Sequence, residues 1–371
     1  MNILCVATSY PADEQDWRGV FIHHLVHALA RKQELHLSVW APPGILPGNT
    51  RYAATTKERT RLESLMAAGG IAHLMRSGRP AALARPVQLL SMLRSLYRRE
   101  NLTDLYHLNW LQTALPLPAD GKPALITVLG TDLKLLKLPL VKTLLRRVMR
   151  KRAVAICPNA DWMQAPLHAA FGDVARIQPV VFGIDPVWYA LQRQPSAEHP
   201  VWLAVTRLTR DKLGPLLEWS EPLFKGQARE LHLLGPMQEQ IVLPDWVHYH
   251  GPATPEQLAT DWFPQAHGLV TLSRHAEGRP QVMLEAMAAG LPIIASGMPA
   301  HASLVQDGTT GALCSDPAGY GNALQRLEET PTNLEFGRNA RSWVRQEVGT
   351  WDDCAGRYLA LYNTLLAGDR D

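Results

Sequence analysis

The chain has 371 residues, of which 46% are hydrophobic and 19% are charged, and its formal net charge is +3. This length predicts two domains, and the composition excludes a disordered chain. No apolar run reaches about 18 residues, so no bilayer-spanning helix is expected. The four cysteines, which show no CxxC spacing, are Cys5, Cys157, Cys314 and Cys354. This pattern argues against a disulfide framework and against a zinc cluster, and it favours a reducing compartment.

The two halves differ in charge. Residues 1–185 contain 23 Lys and Arg against 13 Asp and Glu, a net +10, whereas residues 186–371 contain 14 against 21, a net −7. We therefore expect an anionic partner, such as a membrane surface or a charged acceptor, to contact the first half. Leu, Met and many basic residues are mixed in the stretches 74–99 and 132–152. These stretches are either membrane-contacting or ordinary solvated helix faces, and they lack the interleaved aromatic residues of nucleic-acid sites.

Short apolar segments alternate with amphipathic ones in the first half. The opening residues, MNILCVATSYP, have no basic region and predict a strand rather than a signal peptide, so a cytoplasmic location is expected. Further strands are predicted at LHLSVWA, LYHLNW, ALITVLG, RAVAICPN and RIQPVVFGID, with helices at 19–31 and within 132–152. This alternation favours a parallel sheet covered by helices. The polar, proline-containing stretch 186–200 predicts a linker.

The alternation begins again after residue 200. Strands are predicted at VWLAVTRL, ELHLLGP, WVHYHG, GLVTLS and LPIIAS, which indicates a second doubly wound α/β domain. An amphipathic helix is predicted at 351–366, with apolar residues at helical spacing from Trp351 to Leu365.

The segment 269–296, LVTLSRHAEGRPQVMLEAMAAGLPIIAS, carries the chemistry. A strand runs into a loop containing Glu277, the loop into a helix containing Glu285, and Gly290 ends that helix. The helix N-terminus predicts a site for phosphates or hydroxyls, and a carboxylate can accept hydrogen bonds from both hydroxyls of a ribose diol. Taken alone, a pair of glutamates at this spacing more often occupies solvated positions, and it is the surrounding motif that favours a site.

A second segment, VTRLTRDKLG, contributes cations. Arg207 ends a predicted strand and Lys212 follows five residues later, so both side chains are expected at the same sheet edge as Glu277. Two cations can neutralise a departing nucleotide diphosphate without a metal. The alternative is that they are ordinary surface charges.

With these motifs the chain resembles the family-4 retaining glycosyltransferases of GT-B fold. The similarity extends over nearly the whole chain, and EGRPQVMLEAMAAGLP is its most specific motif; weaker ones are RGVF, TVLGTD, VVFGID, TRLTRDKLG and LVQDGTTGALC. The resemblance implies two Rossmann-like domains facing across a cleft. They comprise residues 1–185, with the C-terminal helix 351–371 crossing back to the first domain, and residues 186–350.

The resemblance also implies a role for individual residues. Arg207 and Lys212 correspond to the pyrophosphate-binding pair, Glu285 to the ribose-binding glutamate, and Glu277 to the acid beside the transferred sugar. Arg207, Lys212 and Glu277 are thereby the expected catalytic residues. The remaining donor-binding residues are expected to be Gly19, Gly278, Arg279, Pro280, Gln281 and Val282. No cofactor is expected, and a UDP- or GDP-sugar would serve as co-substrate.

The resemblance implies the transfer of a sugar to a glycan or a lipid-linked acceptor, as in bacterial envelope or exopolysaccharide biosynthesis. The location it implies is the cytoplasm, where the protein can contact the inner face of the cytoplasmic membrane. Many family members read His-Gly-x-Asp where this chain has Leu129-Gly130-Thr131-Asp132. On the acceptor side, Asp132 and His107 are the expected candidates. A non-catalytic sugar-nucleotide-binding or scaffolding protein is the alternative interpretation.

Three further patterns do not predict a site. His23, His24 and His27 on the first helix, and His248 and His250 on a strand, are interpreted as surface residues, because no third ligand is evident in the sequence. Neither GxxxxGK[ST] nor GxGxxG follows the first strand. Nucleotide hydrolysis and nicotinamide chemistry therefore lack their usual phosphate-binding loops, and no metal site is predicted.

Overall fold

The computed structural model describes residues 1–13, 16, 18–67, 80–195, 198–275 and 277–368. These residues form two compact units. The first unit comprises Met1–Phe182 and Trp351–Asp371, and the second comprises Gly183–Thr350.

A seven-stranded parallel sheet forms the centre of the first unit, in the order β3-β2-β1-β4-β5-β6-β7. Its strands are β1 Asn2–Val6, β2 His36–Trp40, β3 Arg51–Tyr52, β4 Leu105–Asn109, β5 Ala124–Val128, β6 Val154–Pro158 and β7 Arg176–Ile177. Every residue of β4, β5 and β6 is buried. Ile3 and Leu4, neighbours on β1, belong to different hydrophobic clusters. Apolar cores thus lie on both faces of the sheet, as expected of a doubly wound domain.

A six-stranded parallel sheet forms the second unit, in the order β10-β9-β8-β11-β12-β13. Its strands are β8 Val201–Val205, β9 Glu230–Leu234, β10 Val247–Tyr249, β11 Gly268–Thr271, β12 Ile293–Ser296 and β13 Gly311–Cys314. From β8 the chain builds outward through β9 to β10, then returns to β11 on the other side of β8. The strand order therefore reverses between β8 and β11.

Helices connect these strands and cover the sheets. The described helices are α1 Val20–Ala30, α2 Thr56–Ala67, α3 Pro80–Arg99, α4 Pro139–Met149, α5 Gln164–Phe171, α6 Pro186–Ala190, α7 Arg210–Leu213, α8 Leu216–Phe224, α9 Pro255–Gln257, α10 Gln281–Ala288, α11 Pro299–Ala302, α12 Pro317–Glu328, α13 Thr330–Glu347 and α14 Trp351–Ala367. Short 3₁₀ helices occur at Leu111–Ala114, Thr131–Lys137 and Asp161–Met163, and a π-helical turn at Leu258–Trp262. Across the described segments, none of the helices combines the length and apolar character that a membrane span requires.

The last helix, α14, packs on the sheet of the first unit. Its buried residues join the same hydrophobic cluster as Ile3, Leu105 and Leu125; they are Trp351, Cys354, Ala355, Tyr358, Leu361, Tyr362 and Leu365. Two polar side chains of the sheet, His107 and Thr127, also contact this helix. The Tyr362 hydroxyl lies 2.5 Å from His107 Nδ1, and the Tyr358 hydroxyl lies 3.0 Å from Thr127 Oγ1.

Several elements of the structure differ from the sequence predictions. The stretch predicted as a linker begins with α6, where Trp188 and Tyr189 are buried and the Asp185 carboxylate accepts a hydrogen bond from the Val187 backbone N–H. The predicted strand RIQPVVFGID is a strand only at β7. Strand β13 was not predicted, because its sequence, GALC, is too short and too rich in small residues to show a strand pattern.

Candidate functional site

The candidate site lies where the strand order of the second sheet reverses. Strands β8 and β11 are neighbours, with Leu203 paired with Leu269. Arg207 follows the carboxyl end of β8, and Glu277 follows that of β11. In open parallel sheets, ligands bind beyond the carboxyl ends of the strands at such a reversal.

A close backbone contact fixes α7 against the loop after β11. Thr209 caps this helix, since its Oγ1 accepts a hydrogen bond from Lys212 N at 3.2 Å. Gly214 ends the helix with φ of 54°, and a Cβ there would lie 2.1 Å from the Leu272 carbonyl oxygen. The Asp211 carbonyl oxygen accepts a hydrogen bond from Arg274 N at 2.8 Å. Only a glycine permits this approach, which holds Lys212 beside the Glu277 loop.

Lys212 and Glu277 form an ion pair within the site. Lys212 Nζ donates a hydrogen bond to Glu277 Oε1, and the two side chains are 11% and 15% exposed. Burial lowers the pKa of Lys212, the Glu277 carboxylate opposes that change, and the charge of Arg207 adds to it. Arg207 therefore lies close enough to Lys212 for its charge to lower the pKa of the lysine. The arrangement concentrates two cations and one carboxylate at the reversal point.

Glu285 lies on α10 and is partly exposed. Burial raises the pKa of its carboxyl group to about 7, and the charge of Asp185 acts in the same direction. Among the residues the structure describes, no hydrogen bond or ion pair reaches this carboxylate. A partly buried acid without a hydrogen-bond partner within the described residues is costly, so this position is suited to hydrogen-bond donors supplied by a ligand.

The other predicted donor-binding residues of this segment surround the start of α10. Gly278, Arg279, Pro280, Gln281 and Val282 are all partly exposed. Pro280 directly precedes the helix, at its N-cap position. The Gln281 side chain donates a hydrogen bond from Nε2 to the Gly183 carbonyl oxygen at 2.8 Å, which ties the start of the helix to the segment before α6.

Gly19, also predicted to bind the donor, lies in the first unit. It precedes α1 with φ of 75°, and a Cβ there would lie 2.6 Å from Ser9 Oγ and 2.8 Å from Tyr10 N. Glycine is therefore required by the local packing, whatever else it contacts.

The two acceptor-side candidates of the first unit are buried. His107 is fully buried, with Nε2 2.9 Å from Thr127 Oγ1, and burial lowers its pKa to about 3, so the ring is neutral. Asp132 accepts hydrogen bonds from Leu129 N at 2.7 Å and from Leu111 N, and burial raises its pKa to about 6. Both side chains hold neighbouring segments together, and the acceptor-side role expected of them stays a prediction.

Two residues that the sequence pattern does not single out also affect the site. His301 is buried in α11, with Nδ1 3.0 Å from Ser296 Oγ, and Glu277 opposes the lowering of its pKa by burial. Asp185 raises the pKa of Glu285. His301 could have been found from its position after the strand LPIIAS, whose carboxyl end lies beside that of β11. Asp185 could not, because its segment was interpreted as the end of a strand.

Residues 199–330 match a family model described as glycosyl transferases group 1. The D-inositol 3-phosphate glycosyltransferase of Streptomyces scabiei is 32% identical over 139 residues, which are 37% of this chain and 30% of that protein. The enzyme of the same name from Gordonia bronchialis is 33% identical over 133 residues, 35% of this chain and 28% of that protein. The chain thus matches less than a third of the length of either relative.

Two solved structures resemble the chain over nearly its full length. Sucrose-phosphate synthase from Thermosynechococcus elongatus has a TM-score of 0.72 at 19% identity and covers 100% of both chains. HepE from Anabaena, in complex with UDP-glucose, has a TM-score of 0.67 at 16% identity and covers 98% of this chain and 100% of that one. These similarities confirm the predicted GT-B fold with two Rossmann-like domains.

The raised pKa of Glu285 predicts a pH-dependent effect on stability. Its folded-state pKa lies above the ordinary value of 4.5, so the stability contributed by the neutral acid is complete below 4.5 and is lost as the pH rises through about 7. We expect Glu285→Gln to unfold at a higher temperature than the wild type at pH 8, by about 2–4 °C per kcal/mol, and the difference to shrink towards pH 4.5.

Thermal unfolding from pH 5 to pH 8 measures this difference. Glu218→Gln, at an exposed position on α8, is the matched control and should not diverge from the wild type with pH. A difference between Glu285→Gln and the wild type that stays constant over this range would contradict the assignment.

Proposed function

We propose that this chain, whose residues 199–330 match the family model of the glycosyl transferases group 1, transfers a sugar from a nucleotide-sugar donor to an acceptor. The observation that carries the proposal is the arrangement of Arg207, Lys212, Glu277 and Glu285 around the strand reversal of this same segment. Membership of family 4, with retention of anomeric configuration, is the finer part of the proposal.

The donor diphosphate is bound by Arg207 and Lys212. Two like charges held close together in a partly buried site raise the free energy of the empty protein, and a diphosphate removes this repulsion. Each cation can donate charge-assisted hydrogen bonds to phosphate oxygens. As the sugar departs, the same contacts stabilise the charge that builds on the leaving diphosphate, without a metal ion.

The nucleoside is held by Glu285. Its side chain is partly exposed and its carboxylate has no hydrogen-bond partner within the described residues, so two ribose hydroxyls would supply the missing donors. The donor is a UDP- or GDP-sugar. HepE, which shares the fold, was solved in complex with UDP-glucose.

Glu277 acts beside the transferred sugar. In the empty site it pairs with Lys212, and diphosphate binding gives that ammonium a second anionic partner. The Glu277 carboxylate can then stabilise positive charge that develops at the anomeric carbon. With retention, the acceptor hydroxyl attacks the face that the diphosphate leaves and passes its proton to a departing phosphate oxygen.

A non-catalytic sugar-nucleotide-binding protein is the second candidate. Leu129, which stands where many family members have a histidine, packs against the hydrophobic cluster that includes Phe182 and Trp351, and it offers no polar group. Turnover separates the two candidates, since such a binding protein would retain nucleotide affinity without transferring or hydrolysing the donor.

The two glutamates predict different variant phenotypes. Glu285→Ala should weaken binding of the nucleoside diphosphate by about 1.5–3 kcal/mol for each charged hydrogen bond lost. Glu277→Ala should retain that affinity, because removing the carboxylate frees Lys212 for phosphate, yet lose most of the turnover. Calorimetric titration with UDP and GDP, together with donor turnover, measures both effects.

Glu218→Ala is the control for these measurements, since Glu218 is an exposed acid of the same unit. If Glu277→Ala abolished nucleotide binding while Glu285→Ala left it intact, the two roles would have to be exchanged.

We further propose that the acceptor is a glycan or lipid-linked molecule of the bacterial envelope. The protein reaches this acceptor by binding an anionic membrane surface with α4. Leu140 and Leu144 are 72% and 43% exposed and share one face of the helix with the exposed Arg147 at i, i+4 and i+7 spacing. Arg146, in contrast, is bound to Asp173 and to the Ala170 carbonyl oxygen. Of the basic stretch 74–99, residues 74–79 lie outside the described residues.

Vesicle flotation tests this contact. Each buried leucine contributes about 1.5–3 kcal/mol and each basic residue near the surface about 1 kcal/mol. We therefore expect salt-sensitive binding to vesicles containing anionic lipid, and its loss in Leu140→Gln/Leu144→Gln. Leu102→Gln, at a position 81% exposed outside this helix, is the control. Equal recovery of the wild type and the double variant would refute the contact.

A further inference from the structure

Four metal-ligating side chains share one face at the edge of the second sheet. Glu230 and His232 are two residues apart on β9, so both point to the same side. His248 on β10 is in register with His232, and His250 follows two residues later. On the opposite face, Leu231 and Leu233 are buried in the core. The strand register alone therefore brings one carboxylate and three imidazoles together.

The ring of His232 is at the centre of this group. Its Nε2 lies 2.9 Å from Glu230 Oε2, and its Nδ1 lies 3.0 Å from His250 Nε2. The His248 ring stacks on it with centroids 4.8 Å apart. One ligand atom from each of Glu230, His232 and His248 lies within 4.8 Å of the others. Small side-chain rotations are enough to bring these three atoms to one ion.

We propose that Glu230, His232 and His248 bind a divalent transition-metal ion of the zinc class. Two imidazole nitrogens and one carboxylate oxygen form a donor set that suits Zn²⁺ at about 2.0–2.2 Å from each atom. Three protein ligands leave a fourth tetrahedral position for water. In the ion-bound state the lone pair of His232 Nε2 is directed at the ion, so the single proton of this neutral ring lies on Nδ1 and the net proton count of the ring does not change.

His250 is a positioning residue for this ion. When His232 Nδ1–H donates to His250 Nε2, the lone pair of His232 Nε2 is directed towards Glu230. A hydrogen bond to the second ring nitrogen fixes both the tautomer and the orientation of a metal-bound histidine. The sequence pattern singles out only His248 and His250 of this group, because their proximity to Glu230 and His232 depends on the pairing of two strands separated in sequence.

Trp262 provides an optical reporter. Its ring centroid lies 4.4 Å from that of His250 and 5.5 Å from that of His232. A paramagnetic ion such as Co²⁺ bound at this site should quench its fluorescence. The chain contains 11 tryptophans, and all of them contribute to the fluorescence. The quenching that is present in the wild type and absent in Trp262→Phe therefore comes from Trp262.

The test is a titration of the full chain, made without a polyhistidine tag, with Zn²⁺ by calorimetry and with Co²⁺ by absorption and fluorescence. We expect one ion per chain and a loss of affinity of at least about ten-fold in Glu230→Gln and in His248→Asn. His36→Asn, at an exposed position on β2, is the matched control and should bind as the wild type does. Circular dichroism checks that each variant is folded.

The positioning role has its own measurement. His250→Ala should weaken the site, whereas His250→Gln, which keeps an acceptor for His232 Nδ1–H, should restore most of the affinity. Equal losses in both variants would contradict that role. The site itself would be overturned if Glu230→Gln and His248→Asn bound Zn²⁺ as tightly as the wild type. It would also be overturned if Co²⁺ quenched the fluorescence of Trp262→Phe as much as that of the wild type. None of these readouts depends on the proposed enzymatic activity.

Discussion

The pairing of β8 with β11 is the constraint on which the candidate site depends. Because the strand order reverses between them, the segments that leave their carboxyl ends meet, and Gly214 lets α7 lie directly against the Leu272 carbonyl oxygen. This backbone contact brings Lys212 to Glu277. A larger residue at position 214 would have to move the helix, and the cation with it. The position of the cation therefore follows from the backbone rather than from a flexible loop.

The charges assembled there are unfavourable in the empty protein. Burial and Arg207 both lower the pKa of Lys212, while burial and Asp185 raise that of Glu285. The ion pair with Glu277 offsets part of the cost at Lys212. In the proposed function, a ligand that supplies two phosphates and a vicinal diol would offset more of it. On that proposal, the instability of the empty site and the affinity for a nucleotide have the same physical origin.

Much of the fold was predictable, because buried parallel strands show as short apolar runs and the motif around Glu277 is specific. The residues that join these elements were not. Strand β13 is short and rich in small residues, and α6 lies in a stretch whose polarity and prolines indicated a linker. His107 at a strand end was compatible with a site, yet it is buried against Tyr362 of a helix more than 240 residues later. Such contacts depend on tertiary packing, which local patterns do not contain.

The central claim is that Arg207 and Lys212 bind a nucleotide diphosphate without a metal ion. Calorimetric titration of the wild type with UDP and with GDP, once with Mg²⁺ and once with excess chelator, tests it most directly. The account predicts that at least one of them binds with nearly the same affinity in both conditions, and that Lys212→Ala weakens this binding in both. Binding that disappears when the chelator is added would contradict the account, because a metal ion would then be doing what is assigned here to the two side chains.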